Sequence, residues 1–234
     1  MKKKIVHIIP SLKKGGAERF VVNLCNEFCT NKEFDVYLIS LFDNNKDQYT
    51  FLSDLNRKVR YISLGKSPGF SLKTLFKLNA TLEEISPDIV HTHINAFEYG
   101  IPFLIKSQKS RFFHTIHSKA EKECPTRFIK AIRRYFYKTR RVRPVTISQD
   151  GKNTYQTYYN LTNDILIENG CPEVKPSEML GSLRQSLALN EKEFFVIHIG
   201  RIIEVKNQQL LIKAVKLFNI RHEKKVRLVI VGGI

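Results

Sequence analysis

The chain contains 234 residues, 42% of them hydrophobic, with 39 lysines and arginines against 22 acidic residues and a formal net charge of +17. This length and hydrophobic content are ordinary for a globular protein with one complete core and part of a second. The apolar run before Pro10 contains His7 and is too short for an export signal, and no later stretch suits a bilayer. We therefore expect a cytoplasmic protein, whose positive charge indicates an anionic partner.

Short apolar runs alternate with helical patterns along the first 170 residues. Strands are predicted at residues 5–9, 36–42, 59–64, 88–92, 112–116, 142–147 and 165–168. Helices are predicted at residues 17–28, 72–85, 97–106, 127–137 and 151–159. Because strands separated by helices form a parallel sheet covered on both faces, the pattern predicts an α/β fold with a doubly wound, Rossmann-like parallel sheet.

A second, incomplete domain is predicted after a turn cluster at residues 169–172. A strand at 194–199, a helix at 208–218 and a strand at 226–231 make its single β-α-β unit. We therefore expect three regions along the chain. They are an N-terminal domain at 1–170, a linker with a connecting helix at 171–190, and the incomplete C-terminal domain at 191–234.

The connection that follows the strand at 194–199 carries a candidate diphosphate site. Arg201 lies in the turn after this strand, Lys206 follows five residues later, and the next helix begins beyond Asn207, a suitable cap. Two fixed cations and a helix N-terminus then point toward one place beyond the strand end. This combination suits a diphosphate.

A glycine pair connects the first predicted strand to the first helix. Gly15 and Gly16 allow backbone N–H groups to approach a ligand, because no Cβ intervenes and positive φ is accessible. The helix behind them favours an anion, and Glu18 either complements the helix dipole or lines a cleft. The run is neither a GxGxxG motif nor a P-loop, so a tight strand-to-helix turn is an equally good interpretation of the pair alone.

Four histidines lie at the ends of two predicted strands: His91, His93, His114 and His117. Ligands of open α/β sheets bind beyond the carboxyl ends of the strands, so this edge is the expected cleft. Carboxylates are few nearby and no HExxH motif is present, so no metal is expected. His91 and His114 stand within strands and are expected to be satisfied core residues.

Residues 127–143 combine eight basic side chains with interleaved apolar ones and contain no acid. The apolar side is expected to pack on the sheet, and the charges are either merely solvated or bind an anionic membrane surface. No RNA-binding or helix-turn-helix pattern is present, so nucleic acid is not an expected partner. The membrane-facing candidates are Arg133, Arg134, Lys138, Arg140 and Arg141.

Three segments together resemble a known family: Phe195–Val215, the Gly-Gly-Ala-Glu-Arg run at 15–19, and the Thr-Ile-His-Ser run at 115–118. They are similar to the retaining, nucleotide-sugar-dependent glycosyltransferases of the GT-B fold, family 4 type. The resemblance implies a transfer of sugar from a nucleoside-diphosphate donor to a glycan or lipid-linked acceptor. With a lipid-linked acceptor, the enzyme would work peripherally at the cytoplasmic face of the membrane.

The resemblance also implies a role for each candidate residue. His117 would be the catalytic residue in contact with the transferred sugar, and His93 and Glu18 would line the acceptor side of the cleft. No metal or other cofactor would take part, since the nucleotide sugar is itself the donor substrate. The donor's phosphates would be held by Gly15, Gly16, Arg201 and Lys206.

By the same resemblance, the chain lacks the distal donor-binding segment of such an enzyme, including a Glu-x7-Glu run. We therefore expect the 234-residue chain to be inactive or impaired. Two alternatives stay open. One is a non-catalytic remnant that binds a membrane or a partner, and the other is a sugar-nucleotide epimerase of similar fold, against which the glycine-containing run at 15–19 argues.

Overall fold

The computed structural model describes residues 2–43, 50–171, 173, 185 and 193–233. The chain forms two compact units, Met1–Pro172 and Glu173–Ile234. The linker and connecting helix predicted at 171–190 lie outside the described residues, apart from positions 171, 173 and 185. Each unit has a parallel sheet of its own.

The first unit is built on a seven-stranded sheet in which every pairing is parallel. Its strands are β1 (Lys3–Ile9), β2 (Phe34–Phe42), β3 (Arg60–Lys66), β4 (Ile89–His93), β5 (Arg111–Ile116), β6 (Val142–Thr146) and β7 (Ile165–Leu166). They lie in the order β3-β2-β1-β4-β5-β6-β7, so the winding reverses between β1 and β4. The doubly wound α/β prediction is confirmed, and the reversal marks the edge where a ligand crevice forms.

Helices fill the connections of this sheet. They are α1 (Gly16–Phe28), α2 (Leu72–Ile85), α3 (Ile101–Lys106), α4 (Ala120–Glu123), α5 (Arg127–Lys138) and α6 (Gln149–Tyr159), with a 3₁₀ turn at Leu52–Asp54. Across the described residues, no helix combines the length and hydropathy needed to cross a bilayer.

The helix predicted at 97–106 is divided in the structure. A 3₁₀ segment at Ile94–Gly100 comes first, and α3 follows with Pro102 in its first turn, where proline favours the start of a new helix. The buried Asn79 of α2 supports the junction, because its side-chain oxygen accepts the N–H of Phe103 at 2.6 Å. The break is therefore stabilised by a polar side chain rather than left unsatisfied.

Alternation along the strands builds one hydrophobic core on each face of the sheet. Val6 and Ile8 of β1 belong to the larger core, together with Tyr137 of α5. Ile9 belongs to the other core, together with Val22 of α1. Successive side chains of a strand point to opposite faces, so odd-numbered residues of β1 lie beneath α1.

Arg133 of α5 is an internal residue, and the expectation that it faces a membrane is wrong. Its side chain is 1% exposed, and its Nε lies 2.6 Å from Oε1 of Glu98. Its Nη1 lies 3.7 Å from Oε1 of Glu123, and its Nη2 donates to the carbonyl of Ile94 at 3.3 Å. The guanidinium is buried because acceptors from two other elements surround it.

The second unit contains β8 (Phe194–Ile199) and β9 (Val226–Val231), which pair in parallel, and α7 (Gln208–Arg221) connects them. A 3₁₀ turn at Glu204–Lys206 precedes α7. Asn207 then adopts a φ of 48°, and its side chain accepts the N–H of Leu210, which is the predicted cap. This single β-α-β unit agrees with the elements predicted from the sequence.

Replacing Arg133 with methionine should lower the free energy of unfolding by about 3–5 kcal/mol, because the buried carboxylate of Glu123 and the partly buried one of Glu98 would lose their cation. Urea titration of the purified protein measures this change. Arg127→Met, at an exposed position in the first turn of the same helix, should change the free energy by no more than about 0.5 kcal/mol. Equal effects of the two substitutions would contradict the internal role of Arg133.

Candidate active site

Strand register places five polar side chains in one row. His7 of β1 pairs with His91 of β4, and His93 pairs with Thr115 of β5. Because alternate residues share a face, His117 continues the row just beyond the end of β5. The row therefore crosses three neighbouring strands and ends at their carboxyl edge, where ligands bind in sheets of this kind.

Helix α1 covers the row at both ends. The ring of Phe28 stacks on His7 with centroids 5.9 Å apart, and the ring of Phe20 meets His117 edge-on at 5.5 Å. A cavity of about 270 Å³ adjoins the same helix. Its lining residues are Phe20, Asn23, Leu24, Glu27, Gly170 and Cys171.

Hydrogen bonds join three rings of the row. Nδ1 of His7 lies 3.1 Å from Nε2 of His93, and Nδ1 of His93 lies 3.0 Å from Nε2 of His117. Nε2 of His91 is bonded instead to the hydroxyl of Thr115 at 2.7 Å. Each buried ring thus obtains a partner from within the row, as buried polar groups require.

Burial keeps the histidines of the row neutral. It lowers the pKa of His7 to about 4. It also lowers the pKa of His117 to about 4, although nearby Glu123 acts in the opposite direction. Burial, followed by the neighbouring His91, holds the pKa of His93 well below its usual range. At neutral pH each ring therefore has one N–H and one bare nitrogen.

The structure separates the four strand-end histidines into different roles. His93 is 0% exposed and lies between two other rings, so the expectation that it contacts an acceptor is wrong. His114 points to the opposite face, where Nδ1 meets the Thr92 hydroxyl at 2.8 Å, as expected of a core residue. Of the four, His117 is the one that lies beyond the end of its strand, and it is half-buried there.

Glu123 of α4 holds the backbone of His117 in place. No role was predicted for Glu123 from the sequence. Its Oε2 accepts the backbone N–H of His117 at 2.9 Å, and its Oε1 faces His114 at 3.4 Å and Arg133 at 3.7 Å. Burial alone would raise the pKa of Glu123, but His114 and Arg133 outweigh it and lower the pKa. The signal in the sequence that could have indicated this role is an acidic residue only six positions after His117, the histidine at the end of β5.

The glycine pair differs from expectation in its backbone. Gly15 has a φ of −162°, which is extended, so the positive φ that glycine makes accessible is not used at this position. A Cβ at Gly15 would instead overlap the carboxylate of Glu18, which folds back over the start of α1. Gly16 is the exposed first residue of the helix. The N-terminus of α1 thus has a carboxylate of its own, which complements the helix dipole.

In the second unit, Arg201 and Lys206 are both exposed on the connection between β8 and α7. The side chain of Gln208 donates to the carbonyl of Arg201 at 2.7 Å and so holds this turn against the start of α7. The carbon stem of Lys206 passes close to Gly200, where a Cβ would lie 3.9 Å from it. Both cations therefore belong to one loop beside a helix N-terminus.

Three ring nitrogens, from His7, His91 and His93, lie within 4.8 Å of one another, which is a spacing that ligands of one metal share. Two of these rings are already hydrogen-bonded to each other, and the third is bonded to Thr115. Three neutral rings would also leave the charge of a buried ion uncompensated. The expected absence of a metal stays a prediction.

The free energy of unfolding should fall as the pH drops from about 6.5 to about 4. The upper limit is the pKa of a free histidine, and the lower limit is the pKa of His7 and of His117 in the folded protein. Above this pH range the two histidines are neutral in both the folded and the unfolded protein. Within the range they are protonated in the unfolded protein but stay neutral in the folded one. Each histidine then costs about 1.4 kcal/mol per pH unit. Urea titrations at several pH values measure the slope. His7→Phe should make it shallower, and an unchanged slope would contradict this account.

Two family models match the chain. The model described as Glycosyltransferase Family 4 matches residues 14–171, and the model described as Glycosyl transferases group 1 matches residues 181–234. The first match contains the glycine pair and the whole histidine row except His7. The second contains Arg201 and Lys206.

The chain is similar to proteins of which two are named as glycosyltransferases. The capsular polysaccharide biosynthesis glycosyltransferase CapH of Staphylococcus aureus is 23% identical over 239 residues, which cover 99% of this chain and 62% of CapH. The crystal structure of Anabaena Alr3699/HepE in complex with UDP and glucose superposes with a TM-score of 0.72 at 19% identity, covering 99% of this chain and 62% of that one. A glycosyltransferase from Rickettsia africae gives 0.73 at 16% identity, with coverages of 99% and 60%.

These relatives share the GT-B fold, and this chain spans roughly three fifths of their length, 62% in the case of CapH. Identities below 20% establish only the fold for the two solved structures. The family match is stronger, because residues 14–171 make up well over half of the 234 residues. The chain therefore belongs to glycosyltransferase family 4.

Proposed function

We propose that the protein serves the transfer of a sugar from a nucleoside-diphosphate donor to a glycan or lipid-linked acceptor, with retention at the anomeric carbon. The observation that carries the proposal is the place of His117, a neutral ring held at the carboxyl end of β5. Ligands of doubly wound sheets bind at this edge. The UDP and glucose bound to Alr3699/HepE support a nucleotide sugar as donor. The family match favours transfer over the epimerase alternative.

Arg201 and Lys206 are the phosphate ligands in this proposal. Their charges stabilise the diphosphate as it leaves the sugar, which is the largest barrier-lowering effect available to such a site. With two cations in this role, the proposed reaction needs no metal. Gly15 and Gly16, at the start of α1, remain phosphate-binding candidates of the first unit. Glu18, whose carboxylate lies over the same helix start, remains an acceptor-side candidate of that unit.

We propose that the 234-residue chain itself is inactive or impaired in sugar transfer. The second unit leaves large apolar side chains exposed on β8 and α7, among them Ile199 at 79% and Ile220 at 71%. The loop that carries Arg201 and Lys206 is flanked by elements with few buried apolar contacts, so it is not held in one conformation. Catalysis depends on such preorganisation. Binding of the donor's diphosphate is the simpler property to measure.

Arg201→Ala and Lys206→Ala should each weaken the binding of a nucleoside diphosphate by about tenfold or more, because each removes a charge-assisted hydrogen bond worth about 1.5–3 kcal/mol. Calorimetric titration with UDP and with GDP, in the presence of EDTA, measures the affinity. Arg221→Ala, at the far end of α7, is the matched control and should leave the affinity unchanged. Binding that requires added magnesium, or that survives both loop substitutions, would contradict the proposed site.

We also propose that the exposed side of α5 lies on an anionic membrane at the cytoplasmic face. Phe128 and Tyr135 are 76% and 63% exposed and stand seven residues apart, which puts them on one side of the helix. Exposed aromatic rings beside basic residues are typical of helices that lie in a membrane interface. The basic residues near them are Arg134, Lys138, Arg140 and Arg141, of which Arg134 and Arg141 also bond to backbone carbonyls.

The double substitution Phe128→Ser and Tyr135→Ser should reduce binding to vesicles of phosphatidylcholine with phosphatidylglycerol several-fold, because it removes the inserted rings. Co-sedimentation at low salt measures the bound fraction, which should fall as salt screens the charges. Phe76→Ser, which alters an equally exposed ring on α2, should have no effect. Vesicle binding without any nucleotide binding would favour the non-catalytic alternative.

A further inference from the structure

The three bonded histidines form a chain with a direction. His93 is its middle member: its Nε2 faces Nδ1 of His7, and its Nδ1 faces Nε2 of His117. A neutral imidazole has a single N–H, so His93 can donate only one of these bonds and must accept the other. His7, His93 and His117 are therefore all Nδ1–H or all Nε2–H, because any mixture would set two N–H groups or two bare nitrogens against each other.

The buried end of the chain selects the direction. Nε2 of His7 is buried and has no hydrogen-bond partner among the described residues. If all three rings carried the proton at Nε2, this atom would be a buried N–H without an acceptor, and such groups are rarer in proteins than unpaired acceptors. With Nδ1–H rings, His7 donates to His93 and His93 donates to His117, and only a bare nitrogen is left unpaired.

We propose that His93, anchored by His7, is a positioning residue that fixes His117 in its Nδ1–H form, so that His117 presents an N–H to a ligand oxygen at the cleft. Nε2 of His117 accepts the bond from His93, and the other nitrogen of this half-buried ring remains for the ligand. This inference rests on the proposed function for the identity of the ligand, a sugar or acceptor hydroxyl. It makes His117 a hydrogen-bond donor rather than a general base.

The same bond disfavours protonation of His117. A second proton on this ring would have to sit on Nε2, where it would face the N–H of His93. Hydrogen bonding to the neutral form of a group disfavours its charged form. The other titratable groups facing His117 are Glu123 of α4, which favours a charge, and His114, which opposes it. Removal of the His93 N–H should therefore make His117 easier to protonate.

Nitrogen NMR of the unaltered protein, labelled with ¹⁵N-histidine, tests the direction of the chain. We expect His7, His93 and His117 all to show the Nδ1–H pattern, with scalar couplings across both hydrogen bonds. The hydrogen bond at one ring nitrogen decides where the proton resides, so the pattern reports the bonds directly. An Nε2–H form, or a mixture of forms, at His117 would overturn the proposal without recourse to any variant.

His93→Phe tests the effect on His117. The variant should lose both couplings, and the midpoint for protonation of His117 should rise by about one pH unit or more. His91→Phe is the matched control. His91 lies in the same row, but it bonds to Thr115 and not to any of the three linked histidines. In this variant His117 should titrate as in the unaltered protein. An unchanged midpoint in His93→Phe, or an equal shift in both variants, would refute the positioning role.

These measurements do not depend on turnover. The expected NMR pattern together with no binding of a nucleoside diphosphate would defeat the proposed function and leave the histidine chain standing. Binding of a nucleoside diphosphate together with mixed forms at His117 would do the reverse. Were the His93→Phe variant to misfold, the couplings in the unaltered protein would still decide the matter.

Discussion

The buried carboxylate of Glu123 ties two helices to the strand edge at which a ligand would bind. One of its oxygens accepts the backbone N–H of His117, and the other faces His114 and Arg133. A buried charge is tolerated only while it is paired, and separating such a pair typically costs about 3–5 kcal/mol. The strand end, α4 and α5 therefore hold one another in place. His117 gains a rigid support that loop residues alone would not provide.

Local patterns were sufficient to predict the sheet but not this support. Alternating strands and helices are visible within short windows, and the doubly wound fold follows from them. Arg133 shares its helix with four other cations, of which Arg127 and Lys138 are exposed, so nothing local distinguishes it. Its burial depends on Glu98, which is 35 residues away, and on Glu123 of another helix. Pairings over such distances in sequence are properties of the packed fold.

The histidine row shows the same boundary between local and tertiary information. The position of His117 just after a strand could be predicted from the sequence. The shared face of His91 and His93 could be predicted too, because they are two residues apart in one strand. The participation of His7 was not, because it requires β1 and β4 to be neighbours in register. The family resemblance implied that His93 would line the acceptor side, whereas His93 lies one ring further inside than His117.

Strand β4 alternates between its two sides, with His91 and His93 beneath α1 and Val90 in the larger hydrophobic core. A slip of this strand by one residue would turn both imidazoles into that core, where each unpaired nitrogen would cost about 1–3 kcal/mol. Parallel strands are often apolar on both sides, so little in them opposes such a slip. The histidines thus add a free-energy cost to a one-residue misalignment of β4 with β1 and β5.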